Sequence, residues 1–134
     1  MRPRSIPAAK SELEERFRIT WEAIGGCPLE REVVFHPTRQ WRLDFAEPTA
    51  RIAFEIDGGT ANGKGRHSRG EGYRKDCEKI NAAQVEGWTV LRLTGEMIQP
   101  AYLEELAEAF GLWSEEKRRQ IASEFVAGLS EVNK

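Results

Sequence analysis

Asp44, Glu55 and Asp57 are the acids of this chain best placed to share a divalent cation, because of the two stretches that carry them. Gln40-Trp41-Arg42-Leu43-Asp44-Phe45-Ala46 and Arg51-Ile52-Ala53-Phe54-Glu55-Ile56-Asp57 alternate apolar with polar residues, the pattern of half-buried β-strands. Successive strand side chains point to opposite faces. This sets Trp41, Leu43, Phe45, Ile52, Phe54 and Ile56 on the core side and leaves Arg42, Asp44, Glu55 and Asp57 together on the other. Acids that converge on one face repel one another unless a positive charge sits among them, and a divalent metal is the simplest one. The connection Glu47-Pro48-Thr49-Ala50 suits a hairpin. A simple register across it sets Ala46 opposite Arg51 and Asp44 opposite Ala53, with Glu55 diagonal to Asp44 at a Cβ separation of roughly 7–8 Å. Carboxylates at that spacing can share one ion, and the small Ala53 leaves it room. The alternative is the solvated polar face of an edge hairpin.

The flanking sequence supplies the elements that must position these acids. Residues 1–10 read as a loose basic arm, and 11–134 as a single domain with C-terminal helices from about residue 95. Ser11 can cap a helix to about Ile24, in which Leu13, Phe17, Trp21 and Ile24 recur at helical spacing before Gly25-Gly26 stops it. Glu32 to His36 reads as a short strand ended by Pro37. A glycine-rich basic loop, Gly58 to Gly70, follows the second hairpin strand. Glu71 to Glu86 is the next expected helix, with a stripe of Tyr73, Cys77, Ile80 and Gln84, and Gly87 ends it. Trp88 to Leu93 reads as an apolar strand buried on both faces. Further helices are expected near Ala101 to Phe110 and Ser114 to Leu129. This order predicts a mixed α/β arrangement around a central sheet, the last strand returning beside the hairpin through the 71–86 crossover.

At 134 residues, with 40% hydrophobic and 31% charged side chains, the chain has the composition of an ordinary soluble domain. It lacks an 18-residue apolar run and the apolar core of a signal peptide, so a cytoplasmic protein with no membrane partner is expected. Cys27 and Cys77 have no metal-ligand spacing, and a disulfide between them is not expected. A net charge of −2 argues against a polyanion partner, but its distribution does not. Lys64, Arg66, Arg69, Arg74, Lys75 and Lys79 crowd one segment against Glu71, Asp76 and Glu78, while the acids concentrate in the C-terminal third. A basic loop beside acidic metal ligands is what cleavage of a polyanion requires.

Five stretches in order carry a resemblance: Trp41 to Ala46, Ile52 to Gly59, Gly65 to Gly70, Asp76 to Ala83, and Gly87 to Arg92. Over roughly Ser11 to Thr94 the chain resembles the PD-(D/E)XK nuclease superfamily. It looks closest to small bacterial and phage endonuclease domains related to the very-short-patch repair endonucleases. The resemblance implies a restriction-endonuclease-like core, a mixed central sheet flanked by helices. It implies that Asp44 and Glu55 ligate Mg²⁺ or Mn²⁺ with the backbone carbonyl of Ile56, hard oxygen donors of the kind such cations prefer. The metal would polarise the scissile phosphate and lower the pKa of the attacking water. Glu14 matches the helix acid of many relatives; the alternative for it is a surface helix charge. The superfamily's lysine, two residues after the second acid, is Asp57 here. Asp57 is then a candidate extra ligand, and His67 or Lys79 a candidate for the lysine's acid/base role, with His67 preferred. For Lys79 the alternative is an ion pair with Asp76 at helical spacing.

Arg39, Arg42, Lys64, Arg66 and Arg69 are the expected DNA contacts, since guanidinium groups match phosphate oxygens bidentately. Gly63, Gly65 and Gly70 would let the loop follow a backbone. The expected function is a metal-dependent DNA endonuclease that is structure-selective on branched or distorted DNA, a Holliday junction resolvase of a bacterial or phage-infected cell. Two symmetric cuts imply a homodimer. The alternatives are a mismatch- or sequence-directed nicking endonuclease, and a catalytically silent DNA-binding relative, which the missing lysine favours.

Overall fold

The computed structural model describes residues 8–58 and 70–132. Helix α1 (Ala8–Ala23) leads into strands β1 (Glu30–Val34), β2 (Arg42–Glu47) and β3 (Ile52–Asp57). Then come α2 (Glu71–Val85), β4 (Thr89–Thr94), a 3-10 turn (Gly95–Met97), α3 (Pro100–Phe110) and α4 (Glu115–Val132). The strands form one sheet in the order β1-β2-β3-β4, antiparallel except for the parallel pair β3–β4. The protein is therefore a mixed α/β structure with a four-stranded mixed sheet, and α2 is the crossover that returns β4 beside β3. Among the described residues no helix is long and apolar enough to cross a membrane.

Apolar side chains cover both faces of the sheet, in two separate clusters. The larger joins Phe17, Trp21 and Ile24 of α1 to Phe45, Ile52, Phe54, Ile56 and Leu93 of the sheet and to Leu103 and Ala107 of α3. Its centre is aromatic: the Phe17 ring lies 4.7 Å from Phe45 and 5.0 Å from Phe54, centroid to centroid. The second cluster packs Leu43, Ala46 and Ala53 against Ala83 of α2 and against Trp88. Small side chains at 46, 53 and 83 leave α2 room to approach the sheet. Glycine closes both helices that precede a strand, with φ of 88° at Gly25 and 87° at Gly87, a left-handed conformation costly for other residues.

Several expectations are corrected here. Leu43 does not share a face with Phe45: it belongs to the α2 cluster and Phe45 to the α1 cluster. The break in alternation lies beside Glu32, whose φ of 53° reverses the local pleat of β1 between the pairs Arg31–Phe45 and Val33–Leu43. Trp41 is half-buried outside both clusters, stacked on Phe35 at 6.3 Å. The hairpin register is shifted, Ala46 facing Ala53 and Glu47 facing Ile52. Arg51 is therefore the last turn residue and not a strand residue opposite Ala46. It holds a φ of 55°, its carbonyl accepts the Thr89 N–H at 2.9 Å, and its guanidinium donates to the Glu86 carbonyl.

Helix α1 starts at Ala8, so Ser11 is an exposed residue within it and not its cap, and residues 1–7 of the expected arm lie outside the described residues. Strand β1 begins two residues earlier than expected, at Glu30. In α2 the buried residue is Ala83, while Tyr73 of the expected stripe is 52% exposed. Strand β4 is not buried on both faces, because it lies at the sheet edge with Thr89 and Arg92 exposed.

Phe17 is fully buried at the meeting point of α1 with β2 and β3. Phe17→Ala is expected to cost about 3–5 kcal/mol in urea denaturation, the usual penalty for emptying a large aromatic site. A loss below 1 kcal/mol would mean that α1 is not packed as described.

Candidate functional site

One step along the β2–β3 register from the Phe45–Phe54 pair, Asp44 stands abreast of Glu55. Both are buried, at 4% and 6% exposure, and Glu14 of α1 is buried beside them at 1%. Charged groups this deep are costly without compensation. The compensation is local. Asp44 accepts the backbone N–H of Ile56 on one oxygen at 2.9 Å and the Lys10 ammonium on the other at 3.2 Å. Glu55 accepts the backbone N–H of Asp44 at 3.3 Å, and its second oxygen meets the Lys79 ammonium. Each acid thus grips the other strand, and each takes one lysine, from α1 and α2 respectively.

Helix α1 brings Lys10, Glu14 and Phe17 to the sheet on successive turns. Its start lies close against the end of β3: a Cβ on Gly58 would sit 2.9 Å from the Lys10 Cα, so only glycine allows this approach. Glu14 Oε1 accepts from Arg31 Nη2 at 3.2 Å, whereas Glu14 Oε2 is buried with no hydrogen-bond partner. Glu32 comes near because of its left-handed backbone. Carboxylate oxygens of Glu14, Glu32 and Asp44 all lie within 4.8 Å of one another.

The acids divide their charge unequally. Burial, and after it the Asp44 carboxylate, pushes the Glu55 carboxyl up to about 8, with Lys79 opposing the rise. For Asp44 burial acts in the same upward sense. Hydrogen bonding to Glu55, the Lys10 ammonium and the Ile56 amide outweigh it and hold Asp44 below its ordinary value. Burial and Asp44 raise Glu14. The pair therefore favours its negative charge on Asp44 and its proton on Glu55. A hard divalent cation is suited to displace that proton, because every side-chain donor here is a carboxylate oxygen.

Asp44 stands beside Glu55 on the sheet and beside Glu14 of α1, but the three acids whose oxygens are grouped are Glu14, Glu32 and Asp44, and Glu55 is not among them. Ile56 contributes its N–H to Asp44 and lines a cleft beside Glu55, together with Asp57, Lys79 and Arg92. Asp57 is half-buried, lines the same cleft 3.6 Å from Arg92, and, like Glu55, is not one of the three grouped acids. Lys79 joins the site. Asp76, its alternative partner by helical spacing, pairs with Arg92 at 2.7 Å instead. Arg42 is exposed at the start of β2. Arg39 is exposed, 4.3 Å over the Trp41 ring and 3.9 Å from Glu78. Lys64, Arg66, His67 and Arg69 lie outside the described residues.

Sequence reasoning missed Lys10, Glu32 and Arg31. Lys10 had a usable signal: it lies four residues before Glu14, on the helix face that leads to Phe17. Glu32 had none, because period-two alternation does not reveal a left-handed residue inside a strand. Comparison with protein-family models, with curated proteins and with solved structures finds no match to this chain.

The raised Glu55 carboxyl sets a pH signature. Between about 4.5 and about 8 the unfolded chain has lost a proton that the native chain keeps, so this group lowers stability as pH rises across that window. In EDTA, wild type is expected to lose urea resistance over this range relative to Glu55→Gln, whose neutral amide removes the slope. Parallel pH profiles of the two proteins would refute the assignment.

Proposed function

We propose that this chain is a metal-dependent DNA endonuclease built on a PD-(D/E)XK-type core. The observation that carries the reading is the buried Asp44–Glu55 pair on adjacent strands, flanked by Glu14 from a helix and by Lys79 from the crossover helix. The donor set fits Mg²⁺ or Mn²⁺: hard oxygens only, one of them a buried Glu14 oxygen with no hydrogen bond. Asp44, Glu55 and Glu14 would hold the ion with the Ile56 carbonyl, and Glu32 is close enough to join them. Bound there, the ion supplies polarisation of the scissile phosphate and a lowered pKa for water.

The chain's own residues do the rest. Lys79 of α2, in contact with Glu55, would take the part of the superfamily's lysine, which is Asp57 at the motif position here; its ammonium offsets phosphate charge and orients the nucleophile beside Glu55. Lys10 does the same beside Asp44. His67, the other candidate for this role, belongs to the segment outside the described residues. Arg39 and Arg42 are exposed and suit phosphate oxygens, as do Lys64, Arg66 and Arg69 of that segment. Contacts of this type hold the backbone without reading bases, so DNA shape would supply selectivity. The proposed substrate is branched or distorted DNA, in the manner of a Holliday junction resolvase in the cytoplasm of a bacterial or phage-infected cell. Paired cuts would call for two symmetric copies. A catalytically silent DNA-binding relative is the second reading, favoured by the lysine already seated on each of the paired acids.

A panel of four-way junction, mismatched and linear duplex DNAs with Mg²⁺ or Mn²⁺ separates these readings. Junction cleavage in wild type is expected to fall to background in Asp44→Ala and in Glu55→Ala, and by about 10²–10³ in Lys79→Ala, the usual effect of removing one preorganised charge-stabilising group. Equal cutting of linear duplex would remove the resolvase assignment. No cleavage and no calorimetric metal binding would establish the silent alternative. Glu32→Gln is expected to weaken metal affinity by about 10–100-fold, the range for a group supporting a metal site. Unchanged affinity would exclude Glu32 from the site.

A further inference from the structure

The cleft beside Glu55 encloses about 250 Å³ and holds a charged group that the hydrolytic reading leaves idle, Arg92 of β4. Strand β4 runs parallel to β3 with Arg92 in register with Glu55. The two side chains therefore leave the sheet on one face, a single strand spacing of about 4.8 Å apart. Lys10 of α1 and Lys79 of α2 line the same cleft, but both are engaged, Lys10 on Asp44 and Lys79 on Glu55. Arg92 is engaged differently. Its Nη2 lies 2.7 Å from an Asp76 oxygen and 3.6 Å from an Asp57 oxygen, and both pairs use this one nitrogen. The N–H donors of Nε and Nη1 have no partner among the described residues.

Two acids from different elements hold this guanidinium. Asp57 ends β3, and Asp76 lies one helical turn before Lys79 on α2. Ion pairs as open to water as these add little to stability. What they supply is orientation, because a long side chain gripped at one nitrogen from two sides keeps its remaining donors in a set position at the cleft. A planar guanidinium with unused N–H groups takes two oxygens of one phosphate at once, which an ammonium cannot match. The aspartate at position 57 thereby gains a part of its own, beside Arg92 and apart from the grouped acids.

We propose that this cleft is a phosphodiester subsite, in which Arg92, oriented by Asp57 and Asp76, grips the backbone phosphate next to the one at the acid pair. Asp57 is then a positioning residue for Arg92 and not a cation ligand. The subsite rests on the DNA-binding part of the reading above. Its test reads binding in EDTA, without metal or cleavage, so the subsite and the hydrolytic reading fail separately.

Fluorescence anisotropy of a labelled four-way junction, titrated at several salt concentrations, gives the slope of log affinity against log salt. For Arg92→Gln this slope is expected to be shallower than wild type by about 0.9, the loss of one phosphate contact. Arg92→Lys keeps the charge and is expected to keep the slope. One neutral methylphosphonate, moved a linkage at a time along a junction strand, should weaken wild type at a linkage where it leaves Arg92→Gln unaffected. In calorimetry Asp57→Asn is expected to bind Mn²⁺ as wild type does, whereas Asp44→Ala does not. An unchanged slope in Arg92→Gln, no linkage that separates the two proteins, or loss of Mn²⁺ binding in Asp57→Asn would each overturn the proposal. Absence of cleavage with Mg²⁺, alongside an intact slope difference, would remove the hydrolytic reading and leave the subsite standing.

Discussion

Two carboxylates held side by side within a sheet are the constraint on which this structure turns. In water they would separate or both ionise; at 4% and 6% exposure neither outcome is open to them. The protein resolves the repulsion by making the pair unequal. Asp44 takes a backbone amide and the Lys10 ammonium and keeps its charge. Glu55 receives the Asp44 amide at a longer distance and faces Lys79, and burial favours its protonated form. Each flanking helix contributes one ammonium group to this balance, Lys10 from α1 and Lys79 from α2.

The sheet's two faces have different duties. On one, an aromatic cluster led by Phe17, Phe45 and Phe54 fixes α1 firmly, so that the groups one and two turns before Phe17 arrive at the acids in a set position. On the other, alanines at 46, 53 and 83 keep the packing layer thin, and α2 approaches the sheet closely enough for Lys79 to reach Glu55. Large side chains give orientation on the first face and small ones give reach on the second.

Period-two alternation was enough to locate β2 and β3 and to single out Asp44 and Glu55, because that pattern is local. Helical spacing likewise placed Glu14 on the Phe17 side of α1. Several of the errors came from contacts outside the strand itself. The turn at Arg51 is set by bonds to Glu86 and Thr89, which lie across the sheet and over thirty residues away. The opposed faces of Leu43 and Phe45 accompany a left-handed Glu32 on the neighbouring strand, and that same residue is the acid nobody would choose from the sequence. Trp41 obeys the alternation yet prefers Phe35 and Arg39, a choice made by loop geometry rather than pattern.

The spacing of α1 has a mechanical outcome. Lys10, Glu14, Phe17 and Trp21 form one line along the helix, charged at one end and aromatic at the other. Sliding that line by a single turn, about 5.4 Å, would drive a carboxylate into the slot between the two phenylalanine rings and pull an aromatic ring out among the acids. Neither substitution is tolerable, so the helix behaves as a keyed part with one seating. The alignment of the polar centre is inherited from the stiffness of the greasy one, and it should persist intact until the whole domain lets go.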